Sequence, residues 1–94
     1  MDKKLPVSCP ACGNELEVKT LFCPACETTV SGLYELPLLS SLRDEDQLFI
    51  IDFVKNSGNL KIMAKNMGLS YPTVRHLLDG IIHRIKEQET HHKI

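Results

Sequence analysis

The chain has 94 residues, 43% of them hydrophobic and 24% charged, with a formal net charge of −1. That allows one small domain or two very small modules, and the balance is that of a globular chain. No apolar run approaches the ~20 residues needed to cross a membrane, and no apolar stretch follows the lysines of MDKKLPVS, so neither a spanning helix nor a secretory signal is expected.

A chain that is not exported stays in a reducing cytoplasm, where structural disulfides are rare. This bears on the four cysteines, which fall in two copies of CPAC, Cys9 to Cys12 and Cys23 to Cys26, with ten residues between them. A thioredoxin-like redox motif needs a βαβ scaffold, for which copies so close together leave no room. Metal is the remaining reading. Two residues between cysteines let the chain turn so that both sulfurs face one ion, and two such pairs form a tetrahedron of thiolates about 2.3 Å from Zn2+.

Pro10 and Pro24 fix φ inside each turn, and Gly13 after the first pair permits a left-handed conformation. Glu27 stands where a second glycine is expected. Residues 14–22 alternate through Leu16 and Val18 as a short hairpin would, and residues 28–36 read as a further strand bent at Gly32. The expectation is a zinc ribbon holding one structural Zn2+ through Cys9, Cys12, Cys23 and Cys26. Four thiolates leave no open position for substrate, so the ion's task is folding, to which structural zinc contributes on the order of 10 kcal/mol.

Pro37 and Ser40-Ser41 punctuate a boundary, giving a ribbon over 1–37 and a helical domain over 38–94. Ser41 is the candidate N-cap of a first helix. Asp44, Glu45 and Asp46 occupy its first turn, where the helix dipole favours acid, and read as a solvated start. Leu48, Phe49, Ile51, Phe53 and Val54 form its apolar face, and Ser57-Gly58 ends it. Asn59 caps a short second helix over 60–67, Gly68 stops it, and Ser70 caps a third helix running to about Gln88.

Ala64 lies four residues before Gly68 and Val74 six after it, with Met63, Met67, Leu69 and Leu77 as further apolar positions. A helix-turn-helix needs this set: a small residue for close approach, a glycine for the turn and a β-branched residue to lock the second helix. The same spacings occur in helical hairpins that touch no nucleic acid. If the third helix reads DNA, its outer N-terminal side chains are Ser70, Tyr71, Thr73, Arg75 and His76. Arg75 suits guanine O6/N7 or a phosphate, and the hydroxyl-bearing residues suit phosphate oxygens.

Charge is split along the chain. Through Gly58 there are five Lys/Arg against nine Asp/Glu, and from Asn59 onward six against three. A basic excess this small implies weak, salt-dependent binding by one copy, so affinity would need a second. Leu78, Ile81, Ile82 and Ile85 continue an i, i+3, i+4 stripe that can pack on Phe49 and Phe53, with a surplus for a homodimer. His76 and His83 read as surface or groove-facing residues, and His91-His92 as a frayed tail. There is no nucleophile–base pair, glycine-rich phosphate loop or paired carboxylate, so no enzyme activity and no small-molecule substrate are expected.

The stretch SGNLKIMAKNMGLSYPTVRHLLDGI resembles the DNA-reading helix-turn-helix of bacterial transcription factors, its start being similar to enhancer-binding activators. LRDEDQLFIIDFVKNSG through TVRHLL resembles the promoter-reading domain of sigma factors and response regulators. With CPACG and CPAC in front, residues 7–86 resemble a bacterial and archaeal family of short proteins, without an assigned function, that joins a zinc ribbon to this helix-turn-helix. The elements read above make an α+β chain with an extended C-terminal helix. The resemblance implies a regulator that binds double-stranded DNA through Ser70, Tyr71, Thr73, Arg75 and His76. Pro72 in the first turn of the reading helix is tolerable, since early helical N–H groups lack intrahelical partners. The competing expectation is an adaptor, in which the acidic half contacts RNA polymerase or a sigma factor and the helices are only a core.

Overall fold

A computed structural model describes residues 5–91. The described residues fall into two compact units that divide between Ser41 and Leu42. The sequence reading sets this boundary after Pro37. The intervening Leu38–Ser41 form one turn of 3-10 helix, in which the Ser41 hydroxyl donates to the Leu38 carbonyl at 2.6 Å.

In the first unit, β1 (Val18–Phe22) pairs antiparallel with β2 (Thr29–Tyr34). The register sets Phe22 opposite Thr29, Leu21 opposite Val30 and Val18 opposite Tyr34, with an irregularity between Val18 and Thr20. The second CPAC is therefore the loop of this hairpin. The hairpin expected inside residues 14–22 does not form. That stretch makes no reversal of its own: Glu15 pairs back across the first CPAC with Ser8, and the later half pairs with residues beyond the second. A single bridge, Ser8 to Glu15, and a Leu16 N–H to Val7 carbonyl bond of 2.8 Å close the first CPAC in a smaller hairpin. Most residues of both strands are exposed, Leu21, Phe22, Val30 and Leu33 among them, and Leu36 is the buried apolar residue among the described residues of this unit.

The second unit holds α1 (Asp44–Lys55), α2 (Leu60–Met67) and α3 (Tyr71–His91). Its core is Phe49, Leu60, Met63, Ala64, Val74 and Ile81, with Ile50, Phe53, Leu78 and Ile85 packed against it. Arg43, not Ser41, takes the N-cap position of α1 and makes no side-chain cap bond. The Ser41 hydroxyl is already committed to the 3-10 turn. The expected apolar face of α1 splits: Phe49 is buried and Phe53 half-buried, while Leu48 is 64% and Val54 70% exposed, with Ile51 exposed between them. Neighbouring helices cover one stripe of α1, and its apolar arc is wider than that stripe.

At α2, Asn59 acts as expected, its side-chain oxygen accepting the Ile62 N–H at 3.1 Å. α3 runs past Gln88 to His91, and His92 of the expected frayed tail lies outside the described residues. Among the described residues no helix is long and apolar enough to cross a membrane.

Candidate metal centre and nucleic-acid interface

The two CPAC turns repeat in geometry as in letters. Cys9 N–H donates to the Asn14 carbonyl at 2.8 Å and Gly13 N–H returns to the Cys9 carbonyl at 2.8 Å. In the second turn Cys23 N–H donates to the Thr28 carbonyl at 2.8 Å and Glu27 N–H to the Cys23 carbonyl at 2.7 Å. Gly13 has φ +79° and Glu27 +63°. Both occupy the left-handed region, where a side chain is ordinarily disfavoured. The turn thus imposes its backbone on whichever residue follows the second cysteine, and Glu27 accepts the strain.

Hydrogen bonds reach sulfur in both turns. The Ala11 N–H points at Cys9 Sγ at 3.4 Å, and Cys26 Sγ lies 3.0 Å from Thr28 Oγ1. N–H groups of Cys12 and Ala11 hold the Cys9 thiol below its usual pKa, and the Thr28 hydroxyl and N–H do the same for Cys26. A lowered thiol pKa favours thiolate, the form that binds metal. All four cysteines are free thiols. They associate within each pair, and among the described residues no three or more His, Cys, Asp or Glu side chains are drawn into one ligand group. The fit to zinc therefore rests on a soft donor set presented by two preformed turns. Those four cysteines, in two close pairs, fit one structural zinc, and Cys9, Cys12, Cys23 and Cys26 are the residues that would hold it.

The turn between α2 and α3 is built from local chemistry. Gly68 sits at φ +69°, and its N–H and that of Leu69 return to the last carbonyls of α2, Leu69 reaching the Ala64 oxygen at 3.0 Å. This left-handed closure is the reason for a glycine at this position. Ser70 Oγ accepts the Thr73 N–H at 3.3 Å and meets Thr73 Oγ1 at 2.8 Å, which starts α3. Val74, 0% exposed, locks α3 into the core.

Tyr71, Thr73, Arg75 and His76 are exposed on the first turns of α3. Ser70 and Thr73 spend their hydroxyls on each other and on the helix start. Arg75 reaches Asp79 at 3.4 Å across one turn. The stripe expected at a homodimer interface is largely used inside the unit. Ile81 is buried in the core, Leu78 and Ile85 pack against it, and Ile82 is the exposed member at 37%. Periodicity gives the breadth of an apolar stripe and not which edge of it faces the core, and Ile81 lies on the inward edge.

The shortest ion pair among the described residues joins α1 to α3. Asp46, which its place in an acidic first turn assigns to a solvated helix start, is instead 2% exposed and holds Arg84 through two bonds of 2.6 and 2.7 Å. Arg43 adds a contact of 3.2 Å. Burial alone would raise the Asp46 pKa, but hydrogen bonds from Arg84 and then Arg43 outweigh it, and the carboxyl titrates below its usual value. One sequence signal was available. Gly80 sits mid-helix, where glycine costs about 1 kcal/mol, and a Cβ there would come within 3.3 Å of the Arg84 guanidinium. Beside the clamp, Leu48, Phe49, Met67, Leu77 and Ile81 line an apolar groove of about 310 Å³.

Residues 42–88 match the family described as domain of unknown function (DUF2089)-HTH, and residues 9–40 match the DUF2089 zinc ribbon. No curated protein and no solved structure matches the chain. With the helix-turn-helix match covering half of the sequence and the ribbon match most of what precedes it, the chain belongs to the DUF2089 family, a zinc ribbon followed by a helix-turn-helix.

Proposed function

We propose that the chain is a cytoplasmic, non-catalytic transcription regulator that binds double-stranded DNA, with the N-terminal half of α3 in the major groove. The observation that carries this reading is the division of labour around Val74. That residue is fully buried while its neighbours Arg75 and His76, and Tyr71 one turn earlier, face outward from a helix whose start is fixed by Gly68 and Ser70. A reading helix needs a locked inner edge and exposed outer side chains. Arg75 would grip guanine or phosphate, Tyr71 and His76 would contact the backbone, and Ser70 and Thr73 would offer hydroxyl oxygens while capping the helix. The small basic excess makes a homodimer the proposed DNA-bound species, with Ile82 available to the second copy.

The test is a mobility shift of the zinc-loaded full chain with fragmented genomic DNA at low salt. Wild type and Arg75→Ala are then compared on selected and shuffled sites over a salt series. If Arg75 grips guanine, the variant loses about 1–3 kcal/mol on the selected site and relaxes choice at one base pair. If it holds phosphate, the loss is equal across sequences and the salt slope falls by about one. Unchanged affinity in a folded variant removes Arg75 from the interface.

A second reading, an adaptor for RNA polymerase or a sigma factor, draws on the outer edge of α1. Leu48, Ile51 and Val54 are exposed there beside Asp44, Glu45 and Asp52. Failure of the wild type to bind any DNA favours this reading.

A further inference from the structure

The two cysteine turns share backbone hydrogen bonding, and in each the first cysteine is half-buried and the second exposed. They differ in what reaches sulfur: in the first turn the Ala11 N–H lies 3.4 Å from Cys9 Sγ, and in the second a side chain does so. The residue two places after the second cysteine is Asn14 in the first turn and Thr28 in the second. Both give a backbone carbonyl to the first cysteine of their turn, but Thr28 also sets its hydroxyl 3.0 Å from Cys26 Sγ. Among the described residues no side-chain hydroxyl or amide hydrogen-bonds a sulfur of the first turn.

A metal-bound thiolate carries no proton, so in the Thr28–Cys26 contact the hydroxyl must be the donor. Such a bond draws charge from sulfur and fixes its direction, which lowers its nucleophilicity and steadies it as a ligand. We propose that Thr28 is a positioning residue of the zinc site: its hydroxyl guards Cys26, so the second turn retains the ion and the first, Cys9 and Cys12, is the half that opens to soft electrophiles and competing chelators. Zinc loss then has a fixed order, beginning at the turn without a side-chain donor.

The experiment treats the zinc-loaded full chain with limiting iodoacetamide and maps the modified cysteines by peptide mass. A sulfur–carbon bond forms as the carbon–iodine bond breaks, iodide leaves, and the thioether quits the ion. In wild type, Cys9 and Cys12 are modified ahead of Cys26. Thr28→Val keeps the shape and the backbone carbonyl but removes the donor. It should speed both Cys26 modification and zinc release to a chromogenic chelator by about 10-fold, and Thr28→Ser should restore both. Wild-type protein in which Cys26 reacts as fast as Cys12, or a Thr28→Val protein with wild-type rates, overturns the proposal. Should Thr28→Val fail to take up zinc, the labelling order in wild type and Thr28→Ser decides, with Cys26 last supporting the proposal and Cys26 level or first overturning it.

Discussion

The ribbon and the helical unit are held by different physics. The helical unit buries Leu42, Phe49, Leu60, Met63, Ala64, Val74 and Ile81, enough apolar surface to order three helices. The ribbon leaves most of both strands in water and buries Leu36 as its one apolar residue among those described. A two-stranded hairpin without a core is marginal at best in water. The difference teaches that one chain can carry a unit folded by exclusion of water and a unit folded by a metal, and that the two should fail under different insults.

Removing zinc should have the largest effect. A strong chelator should withdraw on the order of 10 kcal/mol from the ribbon and unfold it, while far-UV circular dichroism shows the helices retained. Simultaneous loss of both units would break the comparison, and so would a preparation with free thiols and no zinc. The reciprocal perturbation is Met63→Ala, which empties a site that is almost wholly buried. It should cost the helical unit about 2–5 kcal/mol in denaturant melts, with zinc content unchanged at one per chain.

Next in size is the clamp. Asp46→Asn removes the charge that Arg84 and Arg43 share and should cost about 3 kcal/mol, toward the low end for a buried pair because Arg84 is 32% exposed and can turn to water. The same residue sets a pH dependence. Its carboxyl titrates below the ordinary value in the folded state, so its contribution is present above the unfolded pKa of about 3.9 and is lost as pH falls through the folded value. Helicity of the wild type should therefore weaken below about pH 4, where Asp46→Asn shows a flatter profile. The ribbon should fail at a higher pH, as protons displace zinc from thiolate. One common acid transition would merge the two units again. The smallest effect should come from Glu27→Gly, which relieves a left-handed side chain and stabilises the ribbon by about 0.5 kcal/mol. Its effect should vanish from melts that follow only the helices.

What could be read from the sequence was what is local. The cysteine spacing, the Asn59 and Ser70 caps and the Gly68 turn each rest on contacts within five residues, and the structure keeps them all. Both strands of the ribbon are legible, but the partner of β1 is not: it lies across the second cysteine turn and not inside residues 14–22, and exposed faces with little alternation do not mark it. Asp46 was missed because its main partner lies 38 positions away and no spacing rule encodes that distance. Ser41 was misread for another reason: a serine before an acidic turn fits a cap, yet a carbonyl in its own 3-10 turn claims its hydroxyl.

The distance between Asp46 and Arg84 also bears on how long the native state lasts. α2 and α3 meet across the short Gly68–Ser70 turn, so their contacts close small loops and can form early. The carboxylate–guanidinium pair closes a loop of 38 positions and carries a larger entropic cost before it gains anything. The expected order is a nucleus of α2 and α3, with α1 docking after the barrier is crossed. An interaction made on the far side of the barrier leaves the rate of folding alone and slows escape from the folded state. In denaturant-jump kinetics, Asp46→Asn should raise the unfolding limb and leave the folding limb in place, whereas a slowed folding limb would put the clamp inside the nucleus. The buried aspartate would then act as a latch that sets the lifetime of the folded helices, with little influence on how quickly they assemble.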